Sequence, residues 1–165
     1  NMEPENMIKL VLNCKKSIKK QFIGSLFLGI TYSEKLNDID QKLLEKLFLN
    51  YPPDMESLQA NYFCKIIERK KDTIWVDEIY QILKMIAEKQ VDPLFDKLSV
   101  TNNTNEMNPC EMIQINALNG VRCSAASAIG ILLWDNREMY LFFKNTIELL
   151  SKEENLGVRG ASVWG

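Results

Sequence analysis

The chain has 165 residues, of which 46% are hydrophobic, and its 20 basic residues nearly balance 22 acidic ones. A chain of this length buries about 70% of its unfolded surface, so it needs no disulfide or metal in order to fold. The near-neutral charge argues against a strongly basic nucleic-acid binder. The sequence contains no histidine, which excludes Ser-His-Asp catalysis, Cys-His catalysis and histidine-ligated zinc.

The four cysteines form no Cys-x-x-Cys pair, and their spacings fit no common zinc module. Because a chain of this length buries a core without cross-links, such cysteines are usually thiols in a reducing compartment. We therefore expect a cytoplasmic protein. The sequon Asn102-Asn103-Thr104 favours the alternative, a secreted protein with two disulfides. The cysteines concerned are Cys14, Cys64, Cys110 and Cys123.

Apolar residues recur with a helical period along almost the whole chain, and sustained strand-like alternation is absent. The N-terminal apolar positions fall on one helical face: Ile8, Val11, Leu12, Ile18, Phe22, Leu26 and Ile30. A second helix is predicted from about Asp38 to Leu49, where Tyr51-Pro52-Pro53-Asp54 ends it. Two further helices follow, one with the apolar face Met55, Leu58, Tyr62, Phe63, Ile66 and Ile67, and one capped by Asp72 or Thr73 with the face Trp75, Ile79, Leu83 and Ile86.

The second half of the chain opens with a polar stretch, residues 101–108, which predicts a long exposed loop. Pro109 suits the first position of a helix that reaches Leu118. Further helices are predicted over Val121–Trp134 and Arg137–Ser151. The predicted fold class is all-α. The apolar run Phe22–Ile30 is too short to span a bilayer, which needs about 20 apolar residues, so no membrane segment is expected.

One internal repeat is visible, with its two copies 37 residues apart. It joins Gly120-Val121-Arg122-Cys123-Ser124-Ala125-Ala126 to Gly157-Val158-Arg159-Gly160-Ala161-Ser162-Val163. This pattern resembles the HEAT-repeat family, in which the second helix of each pair opens with Val-Arg followed by small residues. The resemblance covers about Pro109 to Gly165 and implies antiparallel helical hairpins stacked as a short right-handed α-solenoid. The family often has aspartate before Val-Arg, whereas this chain offers Asn119 and Asn155.

The resemblance also implies a role for two arginines and a division of the chain. Arg122 and Arg159 would be structural residues that bridge adjacent repeats, and the alternative is an anion-binding pair. Residues 1–100 would form a helical-hairpin region, either degenerate repeats or a helical bundle. Residues 101–108 would be the polar loop, and residues 109–165 the HEAT-like repeats. The last repeat looks incomplete, so we expect the chain to be a piece of a longer protein.

No catalytic, cofactor-binding or metal site is predicted. Ser17-Ile18-Lys19-Lys20 matches a Ser-x-x-Lys pattern, but the companion elements of that catalytic set are missing. The segment Gly24–Gly29 has the glycine spacing of a phosphate loop, but Ile30-Thr31 follows where Lys-Ser or Lys-Thr is required. The sequence therefore predicts a protein that is not an enzyme and that uses no cofactor.

Two basic clusters remain, a lysine stripe near the N-terminus and the segment Arg69-Lys70-Lys71. Lysines spaced four apart on a helix form a positive stripe that can contact phosphates, and the alternative is a solvated helix face. Arg69-Lys70-Lys71 is interpreted as a solvated complement to a helix C-terminus. The stripe consists of Lys15, Lys16, Lys19 and Lys20.

We predict a non-catalytic helical-repeat scaffold, part of a larger regulatory protein, that binds a protein partner or another segment of its parent chain. The alternative is a nucleic-acid-binding helical array that uses the lysine stripe, although nucleic acid is the less favoured partner. The sequence does not identify the partner.

Overall fold

The computed structural model describes residues 3–14, 17–55, 57–89, 120–152 and 158–159. These residues form seven α-helices and no strand, so the all-α prediction is confirmed for the described part of the chain. A 3-10 turn, Leu36–Asp38, lies between the second and third helices. The helices are α1 Pro4–Asn13, α2 Lys20–Thr31, α3 Gln41–Asn50, α4 Leu58–Arg69, α5 Asp77–Ala87, α6 Val121–Asp135 and α7 Met139–Ser151.

Side-chain caps fix the starts of two helices. The carboxylate of Asp40 accepts a hydrogen bond from the Lys42 amide at 3.0 Å, and the Ser57 hydroxyl accepts one from the Gln59 amide at 3.2 Å. Each cap satisfies one amide that has no partner within the first turn. The predicted start of the second helix near Asp38 is therefore three residues early, because α3 begins at Gln41 and Asp40 is its cap rather than part of it.

The N-terminal apolar positions do not belong to one helix, and this part of the prediction is wrong. Helix α1 ends at Asn13, residues 17–19 are not helical, and α2 begins at Lys20. The chain turns back so that α1 and α2 pack against each other and bury their stripes in one core. Two helices with the same period look continuous in a sequence, because a period carries no information about chain reversal.

The predicted cap of the fourth helix is also wrong. Helix α5 begins at Asp77, after the buried Trp75, and its N-cap position is Val76. A distant carboxylate supplies the missing acceptor, because Glu45 Oε1 accepts a hydrogen bond from the Val76 amide at 3.2 Å. A cap contributed by another helix leaves no local signal in the sequence.

Helix α4 carries apolar residues on two faces. Phe63, Ile66 and Ile67 are fully buried, whereas Leu58 is exposed and Tyr62 is only half-buried. The predicted single face therefore mixed core positions with solvent-facing ones. Phe22, in the N-terminal set, is likewise exposed.

In the second half, α6 agrees with the predicted Val121–Trp134 to within one residue, and α7 begins two residues later than predicted. Val158, which opens the Val-Arg pair of the second repeat copy, is buried and helical. The predicted loop 101–108 and helix Pro109–Leu118 lie outside the described residues, as does the rest of that copy.

Helix contacts alternate along the chain. Helices α1, α3, α5 and α7 each contact the next member of that set, and α2, α4 and α6 do the same. Contacts of α1 with α2, of α5 with α6 and of α6 with α7 join the two sets. The most extensive contact is that of α4 with α6. Small buried residues on α6 allow this close approach, because Ser124 contacts Asn61 of α4 and Ala128 lies one turn further along the same side.

Helices α2 and α4 run in the same direction. Near their starts, Gln59 Nε2 donates a hydrogen bond to the Lys20 carbonyl at 3.2 Å, and near their ends Arg69 donates to the Thr31 carbonyl. Helix α6 continues the series, because Asn61 near the start of α4 donates to the Ser124 hydroxyl near the start of α6 at 3.0 Å.

The far ends of these helices are also adjacent, since Leu132 of α6 lines a cavity together with Asp72 and Thr73, which follow α4. Helix α5 runs the opposite way to α6. Its start, at Tyr80, lines that same cavity, and the carbonyl at its end accepts a hydrogen bond from Arg122 at the start of α6.

Two aromatic groups lie in the core. Phe48 meets the edges of Phe27 and Phe63, with ring centroids 5.4 and 4.9 Å apart, and tilts against Trp75 at 6.2 Å. Edge-to-face pairs of this kind add about 1 kcal/mol each beyond the buried area. The second group joins α5 to α7 through Tyr80, Phe142 and Phe143.

Candidate interaction surface

The solvent-facing side of α2, α4 and α6 carries an unusually apolar row. Its members, named here the outer row, are four residues apart along α2 and along α4, and each of them is exposed or half-buried. Because the three helices are neighbours and run the same way, these faces adjoin one another. Tyr32 is the most exposed member, at 66%. The outer row consists of Leu28, Tyr32, Leu58, Tyr62 and Ile131.

The charged groups beside the outer row are mainly cationic. Helix α2 has no acidic residue, and on α4 Lys65 and Arg69 continue the helical line of Leu58 and Tyr62. The nearby carboxyl group of Glu68 is half-buried, and this burial raises its pKa, while Lys65 acts in the opposite direction. The surface is suited to apolar side chains accompanied by carboxylates.

Arg122, one of the two predicted inter-repeat residues, is only 4% exposed. Its Nε donates a hydrogen bond to the Ala87 carbonyl at 3.3 Å and thereby satisfies an acceptor at the end of α5. Arg159 is exposed. This hydrogen bond joins the start of α6 to the end of α5, and the inter-repeat role of Arg122 and Arg159 and its anion-binding alternative both stay predictions.

The described half of the predicted lysine stripe, Lys19 and Lys20, lies where α2 begins rather than along a helix. Lys19 precedes α2 in an extended conformation, and Lys20 is the first residue of that helix. Because residues 17–19 are not helical, no continuous helix places Lys19 and Lys20 one turn after Lys15 and Lys16. Both are exposed, and Lys20 Nζ lies 3.8 Å from the Asp54 carboxylate. Lys15 and Lys16 lie outside the described residues.

The weak catalytic patterns are not assembled either. Ser17 lies in the non-helical segment before α2. Gly24 and Gly29 lie inside α2, where their amides are engaged in the helix and cannot cradle a phosphate. Within the described residues, no group of three or more His, Cys, Asp or Glu side chains could hold a metal ion.

The segment Arg69-Lys70 has a role that the sequence did not reveal. Lys70 is 9% exposed, and its ammonium donates hydrogen bonds to the carbonyls of Ile39 at 2.9 Å, Asn37 at 3.3 Å and Leu36 at 3.4 Å. Burial lowers the pKa of Lys70, and the carboxylates of Asp38 and Asp40 partly oppose that shift. The predicted solvated lysine is therefore an internal clamp on the 3-10 turn.

Arg69 forms the second part of this clamp. Its guanidinium donates to the Thr31 carbonyl at the end of α2 and to the Ser33 carbonyl at 3.2 Å. A cation at a helix C-terminus also opposes the negative end of the helix dipole. The acceptors lie more than 30 residues upstream, so no local pattern in the sequence could have identified the contact.

Other buried polar side chains also join helices. Glu45 accepts hydrogen bonds from Gln41 and from the Val76 amide, which connects α3 to α5. The Thr146 hydroxyl donates to Glu88 Oε1 at 2.6 Å and so connects α7 to the end of α5. Each of these groups has partners that account for its burial.

Cys14, Cys64 and Cys123, the cysteines among the described residues, form no disulfide. Cys110 lies outside the described residues. None of the helices formed by residues 3–14, 17–55, 57–89 and 120–152 combines the length and the apolar character needed to cross a membrane.

Comparisons with known proteins give no relative for this chain. No protein-family model, no curated protein and no solved structure matches it.

Proposed function

We propose that this chain is a non-catalytic helical-repeat scaffold that binds another protein through the outer row. The observation that carries the proposal is a set of exposed or half-buried apolar and aromatic side chains on three helices that contact one another in series. Large contiguous apolar patches on a soluble domain usually mark an interaction site. The buried polar residues support this assignment, because their hydrogen-bond partners are carbonyls and side chains of neighbouring segments.

The alternating contacts support a HEAT-like arrangement as part of the same proposal. Consecutive helices would pair as antiparallel hairpins, and the hairpins would stack as a short right-handed α-solenoid. The parallel series α2, α4 and α6 and the antiparallel pair α5 and α6 are what such a stack requires. In this arrangement Arg122 would act as the bridge between successive hairpins.

The chemistry of the outer row indicates the partner. Tyr32 and Tyr62 offer aromatic faces with polar tips, which are well suited to interfaces. Lys65, one turn after Tyr62 on α4, favours carboxylates on the incoming surface. The partner would be a protein segment that presents apolar side chains flanked by acidic ones, in the cytoplasm, either on another chain or elsewhere in a longer parent chain.

A pair of matched variants tests the proposal. Tyr32→Ser combined with Leu58→Ser removes two exposed members of the outer row without touching the core. Leu141→Ser removes an equally apolar side chain, 81% exposed, from α7. Quantitative affinity capture from cells of the source organism should yield proteins that are lost with the double variant and retained with Leu141→Ser.

The binding must then be reproduced with purified components. Calorimetry with a captured candidate should give one-to-one binding that the double variant weakens at least about tenfold, as expected when interface anchors are truncated. If every captured protein binds both variants equally, the outer row is not the interaction surface and the proposal fails.

The described lysines give little support to the alternative of a nucleic-acid-binding array. It needs lysines aligned on one helix, and residues 17–19 have a non-helical backbone.

A further inference from the structure

The ammonium group of Lys70 lies among three backbone carbonyls, which are named here the carbonyl cup. Its Nζ is 2.9 Å from the carbonyl oxygen of Ile39, 3.3 Å from that of Asn37 and 3.4 Å from that of Leu36. An ammonium group has three N–H donors and no acceptor. The number of carbonyls in the cup therefore matches the number of donors on the cation.

The local backbone explains why the three carbonyls converge. Leu36 and Asn37 belong to the 3-10 turn, and Ile39 follows that turn with an extended backbone, at φ −69° and ψ 129°. Carbonyls at the end of a helical turn have no partner inside it, so they must be satisfied from outside. The cup therefore consists of backbone atoms at the end of the turn, whereas its cation comes from the end of α4.

The surroundings of the cup favour a positive charge. Asp38 and Asp40 flank Ile39 along the chain, and both of these residues are exposed. Burial lowers the pKa of Lys70, and the carboxylates of Asp40 and Asp38 partly oppose that shift. Carbonyl dipoles and two nearby carboxylates thus stabilise one cation in the cup.

The dimensions of the cup indicate which kind of cation it takes. Calcium and magnesium bind oxygen atoms at about 2.0–2.6 Å, whereas the cup oxygens lie 2.9 to 3.4 Å from Nζ. Backbone carbonyls bind potassium in proteins by replacing its hydration shell. The cup is therefore suited to a large cation of single charge and is too wide for these divalent ions.

We propose that the carbonyl cup is a binding site for a monovalent cation, potassium or an alkylammonium ion, and that Lys70 fills it as a cation tethered to the chain. The segment between α2 and α3 then requires a cation in order to fold, and the wild-type protein supplies its own. The stability of the wild type should for that reason not depend on which monovalent cation is in solution. Neither the cup nor Lys70 belongs to the outer row, so the site is independent of the partner proposed above.

Proton–nitrogen correlation spectra of the ammonium groups give the first result, on the wild-type chain. A buried ammonium that is bonded to three carbonyls exchanges its protons with water slowly, so the Lys70 signal should be visible. Lys20 is exposed and lies 3.8 Å from the Asp54 carboxylate, so its protons should exchange too quickly to be seen. A Lys70 ammonium that exchanges as quickly as that of Lys20 would overturn the proposal.

Two variants of Lys70 test whether the cup accepts a free cation. Lys70→Ala removes the side chain beyond Cβ and leaves space beside the carbonyls, whereas Lys70→Met fills that space with an apolar chain of similar length. Both variants lack the tethered ammonium, so they differ in the access that a free cation has to the cup. Lys20→Ala is the control for the loss of a lysine at an exposed position.

Urea denaturation is measured while methylammonium or potassium chloride replaces tetramethylammonium chloride at constant ionic strength, which keeps screening unchanged. Tetramethylammonium has no N–H group and is too bulky for the cup. The unfolding midpoint of Lys70→Ala should rise with the replacement and level off, as expected for a ligand that binds only the folded state. The wild type, Lys70→Met and Lys20→Ala should show only the general effect of the salt. If Lys70→Ala is unfolded in tetramethylammonium, circular dichroism should show that methylammonium refolds it.

The comparison of the two Lys70 variants decides the outcome. If the midpoints of Lys70→Ala and Lys70→Met respond to the salts in the same way, the cup binds no free cation and the proposal fails. Saturable shifts of the amide resonances of Asp38 and Asp40 in Lys70→Ala, but not in Lys70→Met, should place the added cation at the turn. Shifts confined to other parts of the chain would show that the cation binds elsewhere and would also overturn the proposal.

Discussion

Two basic segments of this chain look alike in the sequence and differ completely in the structure. Lys19-Lys20 lies exposed at the start of α2, and Lys20 has only a long contact with Asp54. Arg69-Lys70, at the end of α4, directs both cations onto backbone carbonyls, and Lys70 is buried although Arg69 is exposed. The difference shows that the environment of a basic cluster depends on nearby unpaired acceptors, here the end of α2 and the 3-10 turn, and not on the cluster itself.

The largest expected effect comes from removing the buried ammonium. Lys70→Met keeps most of the side-chain volume but withdraws the donor from the carbonyls of Asn37 and Ile39. Buried acceptors without partners cost about 1–3 kcal/mol, and we expect the free energy of unfolding to fall by about 2 kcal/mol. Urea denaturation measures it.

Lys20→Met is the control for that experiment. Lys20 is exposed and its nearest carboxylate lies 3.8 Å away, so the free energy of unfolding should change by less than about 0.5 kcal/mol. Equal losses in the two variants would contradict the distinction between the segments.

A smaller effect is expected at Arg69. Arg69→Gln loses the charged donors to the carbonyls of Thr31 and Ser33, and we expect a loss of about 1 kcal/mol, also from urea denaturation. Arg69→Lys keeps the charge but not the forked geometry, so its stability should lie between those of Arg69→Gln and the wild type. If Arg69→Gln unfolds at the wild-type urea concentration, the guanidinium does not hold the end of α2.

The parts of the fold that could be predicted are those with local signals. Helix α6 was predicted to within one residue because Gly120 precedes it, Asn136 follows it and its small residues form a continuous buried face. The break between α1 and α2 was missed because no glycine or proline marks it, and lysines favour helix. Only the packing of α1 on α2 requires the chain to turn there.

The candidate surface was hidden for a related reason. Leu58 and Tyr62 follow a helical period just as Phe63 and Ile66 do, so the sequence could not distinguish the exposed face of α4 from the buried one. That choice depends on which neighbours cover each face. The clamp at Lys70 was equally out of reach, since its acceptors lie 31 to 34 residues upstream and become adjacent only when the turn packs against α4.

The smallest expected effect concerns Glu68, which immediately precedes the clamp. Burial raises the pKa of Glu68 above 4.5, so between 4.5 and the raised pKa the folded state binds more protons than the unfolded state does. The contribution of Glu68 to stability therefore falls as the pH rises through that window, and the charged form is penalised at neutral pH. Glu68→Gln should stabilise the protein by a few tenths of a kcal/mol at neutral pH and by nothing below that window.

Glu148 provides the matched control, because it also lies in the last turn of a helix but is exposed. Both glutamates meet the unfavourable end of a helix dipole, so the dipole contributes similarly to Glu68→Gln and Glu148→Gln, and only burial distinguishes them. Thermal unfolding from acidic to neutral pH should show the larger gain for Glu68→Gln. Equal gains in stability for the two variants would mean that the helix dipole alone, and not burial, acts on Glu68.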